Sequence, residues 1–115
     1  MPDKPRPQPL AEFELLVMLA ALRLGTDEAY TVSIADHIQE RTGRTVRRAS
    51  VYTTLQRLEA KGLVTTRLGD ARAERGGKPR RVVKVLPSGL ASVRATTGAI
   101  QAMVGGISDL IGEAG

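Results

Sequence analysis

The chain of 115 residues contains no cysteine and no tryptophan, one phenylalanine, two tyrosines and one histidine. The lack of cysteine excludes a disulfide framework and every thiolate metal site. The single histidine, His37, sits between Asp36 and Ile38 in a helical pattern, where it reads as a surface helix residue. Carboxylates are scattered singly, so no nucleophilic or acid–base set stands out, and an enzyme, a metal or a cofactor is not expected. The longest apolar run, residues 15–22, is too short to span a bilayer. The proline-rich start lacks the apolar stretch of a signal peptide, so a cytoplasmic location without a membrane partner is the expectation.

What the chain does have is segregated charge. Its net charge is +5, yet residues 41–84 hold thirteen of the seventeen Lys and Arg against Glu59, Asp70 and Glu74, a local balance of +10 that leaves −5 for the two ends. Solubility does not need such a division, whereas attraction to a polyanion does. An anionic membrane is the competing partner, but interfacial binding favours a strongly amphipathic basic helix with bulky aromatics, which this segment is not. Nucleic acid fits better.

Within that basic middle lies the segment on which the rest of the reading turns, RRASVYTTLQRLEAKGLV, residues 47–64. Val51, Leu55 and Leu58 recur at i, i+4 and i+7 and line the buried face of a helix. Ser50, Thr53, Thr54 and Arg57 are expected on the polar face. Arg47 and Arg48 stand at the N-terminus, where helices ordinarily place acidic residues or small caps, and their charge opposes the dipole. Two guanidinium groups there make sense if phosphate sits just beyond the helix, met by side chains and free backbone N–H groups together. Gly62 suits the left-handed position that ends the helix. The composition is that of a recognition helix for the major groove, and a solvated surface helix would carry the same pattern.

The rest of the chain supplies the context that separates those two readings. Residues 1–9 contain four of the six prolines and are expected to form a disordered N-terminal arm. Residues 10–24 read as a first helix, apolar nearly all round. Phe13, Val17, Ala20 and Leu24 form one stripe, and Leu15, Met18, Leu19 and Leu22 a second that must meet a partner chain or the C-terminal helix. Thr31 is a plausible N-cap for a second helix ending near Thr42 and Gly43. Only a short link then leads to Arg47, which is helix-turn-helix punctuation. Residues 64–68 and 81–86 are rich in β-branched residues and read as two strands. Between them, GDARAERGGKPR carries Gly76-Gly77, Pro79 and a run of basic residues, a hairpin loop suited to reach along the DNA backbone into the minor groove. Pro87 opens a last helix. There Leu90, Val93, Thr97, Ile100, Val104, Ile107 and Ile111 alternate at three and four residues, the seam of a coiled coil that calls for a partner helix. A helix folding back on its own domain is the alternative. Gly98, Gly105 and Gly106 each weaken it by about 1 kcal/mol, so it should be ordered only when packed.

In this order of parts, YTTLQRLEAKGLV followed by ERGGKPRR resembles the PadR family of winged-helix transcriptional regulators, and LAEFELLVMLAALRLG and AYTVSIADHIQERTGR are similar to its opening helices. The resemblance runs from Leu10 to the end of the chain. It implies a mainly α fold with a small β-hairpin (α+β): a winged helix-turn-helix over residues 10–86 and a C-terminal dimerisation helix over residues 87–115. The implied function is that of a bacterial, cytoplasmic, sequence-specific repressor. It would bind double-stranded DNA at a palindromic operator as a homodimer, through recognition helix 47–61 and basic wing 70–81. The family's recognition-helix tyrosine, which contacts the DNA backbone, falls on Tyr52, and the wing's basic residues fall on Arg75, Lys78 and Arg80. With these, Arg47, Arg48, Ser50, Thr53, Thr54 and Arg57 complete the expected DNA-binding set. The implied dimer packs Leu15, Met18, Leu19 and Leu22 of one subunit against Leu90, Val93, Thr97, Ile100, Val104 and Ile107 of the other. Some relatives hold planar ligands between tryptophans at this interface. This chain has none, so a small-molecule effector is neither required nor named by the sequence. A winged-helix module that docks its basic face on an acidic protein is the alternative function.

Overall fold

The computed structural model describes residues 6–69 and 80–112. Along the chain these form α1 (Glu12–Leu24), α2 (Thr31–Thr42), α3 (Arg48–Ala60), β1 (Val64–Leu68), β2 (Arg81–Val85), α4 (Pro87–Val104) and the short α5 (Ser108–Ile111). Helices 1 to 3 pack on one another, and the antiparallel pair β1–β2, in register Val64↔Val85 to Leu68↔Arg81, closes the far side. The expected class, mainly helical with one β-hairpin, is the one observed. Residues 1–5 and 70–79 lie outside the described residues, and with them most of the arm and of the wing loop, including Arg75 and Lys78. Gln8, in the described part of the arm, donates its amide to the Lys61 carbonyl at 3.3 Å.

Local chemistry explains the boundaries. α1 begins where Glu14 accepts the Ala11 N–H at 2.9 Å, a carboxylate placed in the first turn as the helix dipole favours. α2 starts one residue earlier than expected. Tyr30 is its N-cap, and the capping hydroxyl belongs to Ser33, which accepts the Tyr30 N–H at 3.0 Å, so Thr31 is the first helical residue. Gly43, at φ +77° and ψ 0°, ends α2 in the left-handed conformation. The sheet also gains an element the sequence did not announce. Tyr30 bridges Val82, and the Val83 N–H donates to the Ala29 carbonyl at 2.7 Å, tying the entry to α2 against β2.

The core is a single cluster centred on Val17, Met18, Ile34, Val51, Leu58, Leu63 and Val64, each at most 2% exposed. Three expectations for the dimer surface are corrected here. Leu15 and Met18 are 5% and 0% exposed, and Val93 is 7% exposed, so all three belong to the core of their own chain. The reason is Gly89 in the first turn of α4. A Cβ there would lie 2.2 Å from the Leu63 carbonyl oxygen and 2.8 Å from Met18 Cε, and its absence lets α4 settle directly on Met18. The second stripe of α1 is therefore divided. Its inner half is covered by α4, and only the Leu19 and Leu22 side remains open.

Past that anchorage α4 leaves the domain. Residues 98–106 are all exposed, with Ile100 at 47%, Met103 at 80% and Val104 at 52%. The seam expected to continue through Ile107 and Ile111 is also broken. The helix stops at Gly105, Gly106 takes φ +77°, and α5 starts afresh at Ser108. Two adjacent glycines have no side chain to hold the helical geometry and lose more freedom in it than any other residue, so the helix ends there.

Candidate nucleic-acid interface

The surface of interest starts at the N-terminus of α3. The turn leading to it is anchored by Arg44, which clamps Glu12 with two bonds, Nη1 to Oε1 at 3.0 Å and Nη2 to Oε2 at 2.7 Å. The hydrogen bonds and charge of Arg44 lower the Glu12 pKa. Val46 is further held through its N–H, which donates to Gln39 Oε1 at 3.3 Å. Arg47 is the N-cap and makes no side-chain capping bond. Arg48, Ser50, Tyr52 and Thr53 follow on the exposed side, Tyr52 with half of its surface free. Among the described residues Arg47 and Arg48 form no ion pair, so two uncompensated guanidinium groups flank the positive end of a thirteen-residue helix.

Thr54 corrects the expected set. It is 4% exposed and lies on the inner face of α3 with Val51, Leu55 and Leu58. The spacing explains this, because Thr54 stands three residues after Val51 and four before Leu58, inside the buried stripe. Gln56 is exposed and donates its amide to the Tyr52 hydroxyl at 3.3 Å; sequence reasoning passed over it, although it stands one turn after Tyr52. Arg57 is exposed at the far end of the helix, near enough to Glu14 for its charge to act on that carboxylate. Burial pushes the Glu14 carboxyl up, but the Lys61 and Ala11 hydrogen bonds and the charges of Lys61 and Arg57 outweigh burial, leaving its pKa below the ordinary glutamate range.

Between α3 and the hairpin lies a crevice of about 280 Å³ lined by Thr31, Tyr52, Gln56, Glu59, Thr66 and Arg81, among others. Its walls are tied together. Glu59 accepts the Thr66 N–H at 3.2 Å, and Arg81 Nη1 donates to Thr66 Oγ1 at 2.9 Å. α3 and β1 thus hold each other in position. Arg80, the described member of the expected wing set, immediately precedes β2, with its guanidinium 3.8 Å from the centroid of the Tyr30 ring.

On the opposite side, the open stripe of α1 and the outer face of α2 form a groove of about 480 Å³, lined by Leu16, Leu19, Leu22, Ile38 and His37 and flanked by Arg23 and Arg41. His37 is half-buried in this wall, and its buried Nε2 meets no partner among the described residues. No helix among the described residues is long and apolar enough to cross a membrane.

Three helices, the last leading into an antiparallel hairpin with a basic loop, and a fourth helix running outward define a winged helix-turn-helix protein. The model of the transcriptional regulator PadR-like family matches residues 18–95, more than half of the sequence, and the chain belongs to that family. Among solved structures it is similar to a PadR family transcription regulator from hypervirulent Clostridium difficile, at TM-score 0.71 and 17% identity over 89% of this chain and 100% of the other. A PadR-like transcriptional regulator from Bacillus cereus superposes with TM-score 0.69 at 15% identity, covering 86% and 93% of the two chains. A padR family regulator from Eggerthella lenta does so with TM-score 0.65 at 23% identity, covering 88% and 87%. A search of curated proteins gave no match.

Proposed function

We propose that this PadR-family chain is a repressor that binds a palindromic operator as a homodimer, in the cytoplasm, where the DNA is. The observation that carries the reading is the N-terminal end of α3. Arg47, Arg48, Ser50, Tyr52 and Thr53 are all exposed there, and the two arginines are met by no carboxylate among the described residues. Seated in a major groove, Ser50 and Thr53 would face base edges while Arg47, Arg48 and Tyr52 take phosphates, which fix register but carry no sequence information. Arg75, Lys78 and Arg80 of the wing would extend the contact along the backbone. Regulation follows by occlusion, since a protein seated on promoter DNA blocks the polymerase.

The dimer is proposed from the distal half of α4. Ile100, Met103 and Val104 present an apolar face to solvent, and the open groove on α1 and α2 offers a complementary apolar surface. A two-fold exchange would cover both and set two copies of α3 on half-sites about 34 Å apart, one turn of DNA.

The test is binding of the purified protein to DNA upstream of its own gene, in competition with excess unrelated DNA at two salt concentrations. A protected palindrome with steep salt dependence is expected. Equal competition by unrelated DNA would remove operator specificity, and no binding at all would favour a protein-docking module.

A further inference from the structure

The arginines of the α2–α3 turn and of the hairpin are held in two different ways. Arg44 is engaged through its N–H edges by Glu12, Arg67 by Asp27 at 3.1 Å, and Arg81 by the Thr66 hydroxyl at 2.9 Å. In each case at least one N–H edge donates to a neighbouring side chain, and in the first two the charge is compensated as well. Arg80 is held by its face, stacked 3.8 Å above the ring of Tyr30. A cation over an aromatic ring is attracted by the ring's quadrupole, which fixes the guanidinium without using its donors or cancelling its charge. Among the described residues no acceptor meets those N–H edges, and Arg80 is half-buried.

The main chain of Tyr30, which carries that ring, is held at several points. The Tyr30 N–H donates to Ser33 Oγ at 3.0 Å, Tyr30 bridges Val82, and its neighbour Ala29 is fully buried and accepts the Val83 N–H at 2.7 Å. Arg80 lies two residues from Val82, so it is the diagonal neighbour of Tyr30 across the bridge, a separation that an aromatic ring and a long side chain readily span. The next residue, Thr31, lines the crevice that also receives Tyr52 of the recognition helix, so the stack borders the surface proposed for DNA.

We infer that Tyr30 is a positioning residue for DNA binding, which holds Arg80 at the base of the wing with its N–H edges presented to a backbone phosphate. The inference rests on the DNA-binding reading. Without the ring, Arg80 keeps its charge but must be ordered at the moment of binding, a cost the stack removes in advance.

The test is a double-mutant cycle on operator affinity across a salt series, with thermal unfolding of each variant as the check on folding. Arg80→Ala is expected to weaken binding and to reduce the salt slope by about one. Tyr30→Leu is expected to weaken binding about two- to fivefold with the slope retained, because the cation is still there. Tyr30→Phe, which keeps the ring, should bind like the parent. In the Arg80→Ala background, Tyr30→Leu should cost nothing further. Arg80→Lys keeps the charge but loses the planar stack and should match Tyr30→Leu. Equal loss from Tyr30→Leu in both backgrounds would overturn the inference, as would Arg80→Lys binding like the parent. If Arg80→Ala leaves affinity and slope unchanged while the parent protein binds its operator, the positioning role fails and the DNA-binding reading stands. If the parent protein binds no DNA, both fail.

Discussion

Lys61, just past the end of α3, donates its ammonium to Glu14 Oε2 at 2.9 Å, while Glu14 Oε1 accepts the Ala11 N–H at 2.9 Å. One carboxylate, 4% exposed, thus caps α1 and secures the far end of α3. Lys61→Met leaves a buried acceptor half satisfied and is expected to lower stability by about 1–3 kcal/mol in urea unfolding. The sign of the pH dependence follows from the lowered Glu14 pKa. The folded state binds this proton less readily than the unfolded chain does, so the pair's contribution is complete above the ordinary glutamate pKa of about 4.3 and is lost as pH falls through the lower folded value. Glu14→Gln should flatten that part of the acid limb, and an unchanged limb would show that Glu14 contributes nothing to it.

Gly89 admits α4 to the core. Gly89→Ala places a methyl carbon 2.2 Å from a backbone oxygen that cannot rotate away. The expected cost is about 3 kcal/mol or more, read as a lower urea midpoint. An unaffected midpoint would mean that α4 is not anchored at Met18 and Leu63.

The exposed stretch of α4 is the part of the chain proposed to carry the dimer. Ile100→Glu or Val104→Glu puts a charge on the face proposed to meet the second copy, and Leu22→Glu does the same for the groove. Each is expected to weaken the dimer roughly a hundredfold, about 3 kcal/mol, in sedimentation equilibrium, while the helical circular dichroism of the domain is retained. Leu15 and Met18 differ. Their replacement by Ala should unfold the chain rather than dissociate it, because both are core residues.

Thr53 and Thr54 are neighbours with different expected roles. Thr53→Ala should alter the preference among operator sequences and leave stability within about 0.5 kcal/mol. Thr54→Ala should lower stability and leave sequence preference unchanged, since its side chain faces Val51 and Leu58. Arg47→Ala and Arg48→Ala should each reduce the salt slope of binding by about one without changing sequence preference. A shift in preference from either arginine would place it on a base edge.

The order of elements was legible because each is written in local chemistry. Val51, Leu55 and Leu58 mark the inner face of α3, Gly43 and Gly62 mark helix ends, and the β-branched runs mark the hairpin. The expected set erred where local pattern does not decide. Thr54 is polar and was placed with the polar residues, although its distance from Val51 and Leu58 puts it inside. Tyr30 escaped notice because its place beside Val82 and under Arg80 depends on a contact between residues some fifty positions apart. Leu15, Met18 and Val93 carry the periodicity of an interface stripe and of a core stripe equally well.

By itself the sequence determined the helix-turn-helix followed by a basic hairpin, the uncapped arginine pair at the head of α3, and the family. Periodicity, capping and charge act over one or two helical turns and can be read without coordinates. Tertiary structure decided which apolar residues face inward, which arginines are spent on protein partners, and where α4 leaves the domain. Those outcomes depend on close approach, such as that of Gly89 to Leu63 and Met18, and on pairs such as Glu14 with Lys61 that lie far apart in the chain and meet only once the core has formed.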